Sequence, residues 1–446
     1  MRFIKKSLFL FLFVFASCGS LLSIADWTTL VYVQAKNNLN KFAAKNLADM
    51  SSIGSNNNLN ILVQWYQPNQ KGIWRYKIEK NKIDLDTYLP SDTDGNHAND
   101  LVDSVRWAAT KYAAKNYCLV LWNHGVGILD PTWGALHGNG LSINSSILDN
   151  NPRIQLEDLT TSTTDLSDQA QQVLDEQEDF TERGILFNEN SRTYMTNQEL
   201  VEAMRQIKTN VLHKKLDILG MDACLMAMVE MAYQVKDYAN YMVASQEVEL
   251  AHGWDYITIM SGLAMGRIAP AQLAQSIVLS YENFYRNRIQ FYTQSAIVLE
   301  NIGYVRQSLD QIVSKINLCK KYDKPGMTYA LREARRLSLQ FSARNYIDLH
   351  SFYSRLVNSL ETKYKISSNT GTSLFLKYAK ELNQALNAGM KLIENAVMAY
   401  TAGSSVTAAK GLSIYFPQAK VDSSYIRTNF AQESLWSQFL QDYLSK

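Results

Sequence analysis

Five apolar runs, each alternating with a stretch of helical periodicity, constrain what this chain can fold into more than any other feature. After Trp27 the sequence reads TTLVYVQ, then a helical stretch to about Met50, then NILVQWY. A turn at Asp92-Thr93-Asp94-Gly95-Asn96 leads into a helix from about Asn99 to Lys115, with Leu101, Val102, Val105 and Ala109 as its apolar positions, and on to YCLVLW. A further unit has a helix around Gln198 to Lys208, the strand KLDILGM, a helix from Leu225 to Tyr233 and the strand YMVAS. Continuous apolar strands separated by amphipathic helices predict an α/β fold whose mostly parallel sheet is covered on both faces. In such sheets ligand chemistry sits at the carboxyl ends of the strands.

From Pro270 the pattern turns mainly helical. Helices are expected from Ala269-Pro270, around Ser308 to Ile316 and Met327 to Leu339, and near Thr372 to Tyr400, with SAIVLE and GLSIYFP as strand-like interruptions. Residues 154 to 182 contain nine acids and no Lys or Arg, which reads as a solvated, self-repelling linker flanked by Arg153 and Arg183. The chain of 446 residues is 46% hydrophobic and 19% charged with 7 Pro and 20 Gly, which excludes collagen-like, coiled-coil and largely disordered classes.

Residues 1 to 17 have the layout of a secretory signal: a basic start, the apolar run LFLFLFVF, then small residues. The run is too short to span a bilayer, which takes about 20 apolar residues. Phe15-Ala16-Ser17-Cys18-Gly19 resembles a bacterial lipobox, which would make Cys18 an acylated first residue. Cleavage after Ser23-Ile24-Ala25 is the alternative. The formal charge is +2, and the 44 Lys and Arg include Arg2, Lys5 and Lys6, so loss of the signal leaves 41 bases against 42 acids. That balance favours neither nucleic acid nor an anionic surface. Cysteines at 18, 118, 224 and 319 are too few and too scattered for a disulfide framework.

The strand YCLVLW runs into Asn123-His124-Gly125, and KLDILGM runs into Asp222-Ala223-Cys224. A His and a Cys just past two buried strands can meet in space, as a thiol protease requires. Gly125 permits close backbone approach, so its N–H and that of Cys224 can form an oxyanion hole. On spacing alone a structural role for both side chains is the commoner reading. A zinc site of Cys224, His124 and His252 has no ligand pair at metal spacing behind it. The Asp92–Asn96 loop has its Gly misplaced for an EF-hand. Cys118 lies inside an apolar strand and is expected to be buried and inert, and Cys319 has no partner signal.

LVLWNHGVG and LDILGMDACLMAMVE resemble the His and Cys blocks of the clostripain family, cysteine peptidases of the caspase, legumain and gingipain clan. The resemblance extends over nearly the whole chain, through WTTLVYV with Asn37-Asn38-Leu39, GWDY before ITIM, NYIDLHSFYSRL and KGLSIYFP. It implies a caspase-like α/β/α sandwich with a helical carboxyl-terminal region, divided as a signal segment 1–25, a catalytic domain 26–268 including a linker at 141–183, and an α-rich region 269–446. It further implies that Cys224 is the nucleophile and His124 its partner. Substrates would be proteins or peptides with Arg or Lys at P1, the residue before the cleaved bond. Asp222 and one of Glu247 or Glu249 would line the S1 pocket that takes P1, although Gln246 and Leu250-Ala251-His252 depart from the family wording. Arg153 and Arg183 would be self-cleavage sites of a zymogen, giving a two-chain form held by the shared sheet, or a monomer if uncut. No cofactor is needed for the chemistry and no metal ligands are assigned; calcium enters by family resemblance only. The expected place is outside the cell or on a bacterial envelope, with the lipid at Cys18 as the sole membrane link. The rival reading is a catalytically silent surface protein that keeps the fold for binding.

Overall fold

The computed structural model describes residues 24–130, 185–368 and 371–445. Cys18, Arg153, Arg183 and the linker at 141–183 lie outside the described residues. In chain order the first half contains β1 (Ala25–Gln34), α1 (Asn40–Ser51), β2 (Leu59–Tyr66), β3 (Ile73–Glu79), β4 (Lys82–Leu89), α2 (Ala98–Lys111), β5 (Ala114–Trp122), β6 (Ile185–Asn188), β7 (Thr193–Met195), α3 (Asn197–Gln206), β8 (Leu216–Asp222), α4 (Val229–Val235) and β9 (Ala239–Ala244). The second half contains α5 (Tyr256–Ala264), α6 (Pro270–Tyr285), β10 (Thr293–Val298), α7 (Ile302–Tyr322), α8 (Lys324–Leu337), β11 (Tyr346–Asp348), α9 (Leu349–Tyr364), α10 (Leu374–Ala396), β12 (Val397–Ala402), β13 (Ser413–Tyr415), α11 (Asn429–Glu433) and α12 (Trp436–Leu444).

The central sheet has nine strands in the order β12-β10-β9-β8-β5-β1-β2-β3-β4. Its middle, β9-β8-β5-β1-β2, is parallel, and the pairs at both margins are antiparallel. The apolar runs hide a two-residue alternation. Leu30, Tyr32, Leu119, Leu121, Leu219 and Met221 enter one core with α2, α3, α4, α7, α9 and α10. Val31, Val33, Cys118, Val120, Trp122 and Ile218 enter the other with α1, α5 and α6. Burial on both faces is why the strands lack polar alternation.

The sheet runs across the expected boundary at 268/269, because β10 and β12 from the helical half complete it beside β9. A hairpin at β3–β4, turned at Asn81 with φ 56, extends the other margin and was not anticipated. Two helix bounds change. The helix expected to reach Lys115 ends at Lys111, since Ala114 already pairs with Ala25. The helix expected from Leu225 begins only at Val229. Leu225 has left-handed φ 64, Leu225 N–H donates to Glu247 O at 3.1 Å, Ala227 N–H to Ser245 O at 2.8 Å, and Ser413 N–H to Ala227 O at 2.9 Å. The segment after Cys224 is thus stitched between two extended partners, which removes its amides from any helix.

Candidate active site

The parallel register sets the site. Trp122 pairs with Asp222 across the β5–β8 ladder, so His124 and Cys224 each emerge two residues past a matched pair. The neighbouring β1 ends at Gln34 and delivers Asn37 and Asn38 to the same edge. Asn123 anchors the His loop: its Nδ2 donates to Phe187 O at 3.0 Å and to Gln34 O, and its Oδ1 accepts Phe187 N–H at 3.1 Å. Asn37 Nδ2 donates to the same carbonyl at 3.1 Å, so β6 seals this flank.

His124 Nε2 lies 2.8 Å from Asn38 Oδ1. An amide oxygen only accepts, so this contact calls for the ring tautomer with hydrogen on Nε2. Cys224 Sγ accepts Glu249 N–H at 3.3 Å and lies 3.6 Å from Glu249 O. Both His124 and Cys224 are 7% exposed. Gly125 sits on the Cys224 backbone: a Cβ there would stand 2.5 Å from Cys224 O. No residue but glycine leaves room for this contact, which draws the His and Cys loops together. In the sequence Asn38 stands out only as part of the Asn37-Asn38-Leu39 block. The signal available was its place just past a strand adjacent to the His strand.

The structure brings Asp222 and Glu249 together and sends Glu247 elsewhere. Asp222 Oδ2 accepts Tyr256 O–H at 2.9 Å and Trp254 N–H at 3.2 Å, and Gly253, at φ 62, lies so close that a Cβ would be 2.5 Å from Oδ2. Glu249 Oε1 accepts Gln294 Nε2–H at 2.8 Å. Burial pushes the Glu249 carboxyl well above the usual carboxylate range, and the charge of Asp222 and a shared hydrogen bond push it further. Burial also raises Asp222, against hydrogen bonds from Glu249, Tyr256 and Trp254. Two buried acids this strongly coupled favour the state in which one of them keeps its proton. Glu247 instead turns to Ser342, whose N–H lies 3.1 and 3.2 Å from its two carboxylate oxygens, and also accepts Val248 N–H at 2.8 Å.

The His252 ring packs against Phe42 and Phe284, at centroid distances of 5.9 and 6.3 Å, and burial pushes it down to about 4. Burial pushes the Cys118 and Cys319 thiols up to about 12. In the Asp92–Asn96 turn, Gly95 takes φ 75 and Thr93 donates to Asp100 at 2.6 Å, at the start of α2. Among the described residues no three His, Cys, Asp or Glu side chains form a metal-holding group. Among them, too, no helix is long and apolar enough to cross a membrane.

A mostly parallel sheet between helical layers, with His and Cys loops at adjacent strand ends, has the architecture of the caspase-like cysteine peptidases. The clostripain family, the C11 peptidases, matches over residues 31–135 and 166–443, and this chain belongs to that family. An inactive zymogen C11 protease from Parabacteroides distasonis is 19% identical with a TM-score of 0.59, over 94% of this chain and 98% of that one. A secreted C11 cysteine protease from Bacteroides thetaiotaomicron, bound to an irreversible peptide inhibitor, is 18% identical with a TM-score of 0.56, over 93% and 99%. At these identities the likeness is one of fold. A comparison with curated proteins finds no match.

Proposed function

We propose that this cysteine peptidase is an exported endopeptidase that cleaves after Arg or Lys, with Cys224 as nucleophile and His124 as general acid and base. The observation that carries the reading is the Trp122–Asp222 register, which gives His124 and Cys224 equal offsets from two hydrogen-bonded strands. His124 Nδ1 takes the thiol proton, and the thiolate attacks the peptide carbonyl carbon. The Gly125 and Cys224 N–H groups face the resulting oxyanion. The imidazolium then protonates the leaving amine as the C–N bond breaks, giving a thioester. Water attacks the thioester while His124 takes its proton, the acid departs, and the sulfur recovers the proton. Asn38 keeps hydrogen on Nε2 throughout.

Asp222 and Glu249 supply the acidic floor for a P1 cation, whose arrival displaces the proton that they share. Self-cleavage at Arg153 or Arg183 and export, with or without a lipid on Cys18, complete the reading. The family's zymogen and secreted members support them. The test compares wild type with Cys224→Ala and His124→Ala on Arg-, Lys-, Asp- and Leu-terminated fluorogenic peptides and on a denaturing gel. Arg or Lys turnover and fragmentation, both lost in the variants, are expected. A folded wild type that stays intact and silent on every peptide after trypsin nicking overturns the reading.

A further inference from the structure

A cavity of about 460 Å³ opens beside the two loops and has no part in the chemistry above. Among its lining residues are Val126, two beyond His124, and Leu225, next after Cys224, with Tyr346 and Tyr415 behind them and Ala343 and Pro417 alongside. Leu225 is fully buried, and its left-handed backbone marks the bend that opens this space behind Cys224. The volume lies within the range of sites that enclose a ligand group.

The walls are fixed in advance. Tyr346 O–H donates to Val126 O at 2.5 Å, and Phe416 N–H to Asn345 O at 2.7 Å. The buried Arg335 guanidinium donates to Arg344 O at 2.7 Å and Phe416 O at 2.8 Å, while the Glu247 carboxylate holds Ser342 N–H. A cavity tied this firmly to the His loop spends little free energy on ordering when occupied. Its polar groups are mostly at the mouth, where Arg344 and Lys420 are exposed and Asp130 pairs with Arg427 at 3.0 Å.

Its position relative to the acids decides the occupant. Asp222 bonds to Trp254 and Tyr256, which belong to the core on one side of the sheet, whereas Leu225, Tyr346 and Tyr415 belong to the core on the other. Successive side chains of an extended peptide point to opposite sides. A peptide that directs P1 toward Asp222 therefore directs a residue next to P1 toward the cavity. We infer that the cavity is a second specificity subsite, which takes a large aliphatic or aromatic side chain from the substrate residue adjoining P1. This inference rests on the proposed Cys224–His124 chemistry for the direction of the peptide.

The experiment uses the full chain carrying Cys224→Ala, nicked with trypsin so that it does not depend on self-cleavage, and fluorescein-labelled peptides with a central Arg. Gly, Leu or Phe stands on either side of it, and binding is read by anisotropy. Leu or Phe at one of the two positions should tighten binding about tenfold or more over Gly, the discrimination usual for an apolar pocket. Adding Ala343→Trp or Ala419→Trp, which fill the cavity, should remove that gain while the Gly peptide binds as before. No gain at either position, or a gain that survives in both tryptophan variants, overturns the inference. Turnover of a single-residue Arg coumarin amide by wild type is measured alongside: its absence with the binding gain intact defeats the peptidase chemistry and leaves the subsite standing.

Discussion

Asn38 Oδ1 stands 2.8 Å from His124 Nε2 and fixes which imidazole nitrogen carries hydrogen. Asn38→Ala frees the ring to rotate and to change tautomer. The expected loss is roughly ten- to a hundredfold in kcat, part of what general acid–base catalysis supplies, with KM nearly unchanged. Steady-state kinetics on an Arg peptide checks it. An equal loss in both parameters would point to a folding defect instead.

The Asp222–Glu249 pair predicts a pH dependence of substrate choice. Both carboxyls are raised by burial, so the pair gives up its shared proton only above the ordinary carboxylate range. A cationic P1 competes with that proton, so KM for Arg peptides should fall as pH rises and KM for Leu peptides should stay flat. Glu249→Gln should flatten the Arg profile. A KM profile identical in wild type and variant would refute the shared-proton account.

Glu230 offers a stability test away from the reaction. It is fully buried on α4, accepts Tyr415 N–H at 2.8 Å and Tyr425 O–H at 3.2 Å, and burial pushes it up to about 7. Because the folded value is raised, its contribution is fully present below the unfolded value near 4.5 and is lost as pH rises through 7. Between pH 5 and 8 wild type should lose roughly 2 to 3 kcal/mol that Glu230→Gln does not lose. Urea unfolding of both proteins at the two pH values measures the difference.

Gly125→Ala tests the oxyanion assignment. The added methyl meets Cys224 O at 2.5 Å and must push the two loops apart. Loss of one oxyanion donor costs about a hundred- to a thousandfold in kcat. Circular dichroism should remain native, because the displacement is confined to the loop.

Periodicity alone revealed the parallel centre of the sheet, since strands buried on both faces leave long apolar runs. The positions of His124 and Cys224 followed from where those runs stop. Other features depend on contacts distant in sequence. The extended path of 225–228 depends on Ser245, Glu247 and Ser413, so its helix-like composition misled. Glu247 and Glu249, two residues apart, would share a face of a straight strand, but the bend at Gln246-Glu247 sends one to Ser342 and the other to Gln294. Asn38 reaches His124 across 86 positions of sequence, and no local pattern reports such a partner.

His124 follows β5 and Cys224 follows β8, and the stretch from 131 to 184 falls between those two strands in the chain. Sulfur and imidazole are therefore encoded on opposite sides of any break in that stretch, and the β5–β8 ladder is the seam along which they meet. Residues up to 130 carry the imidazole and residues from 185 the sulfur, so neither segment alone holds both.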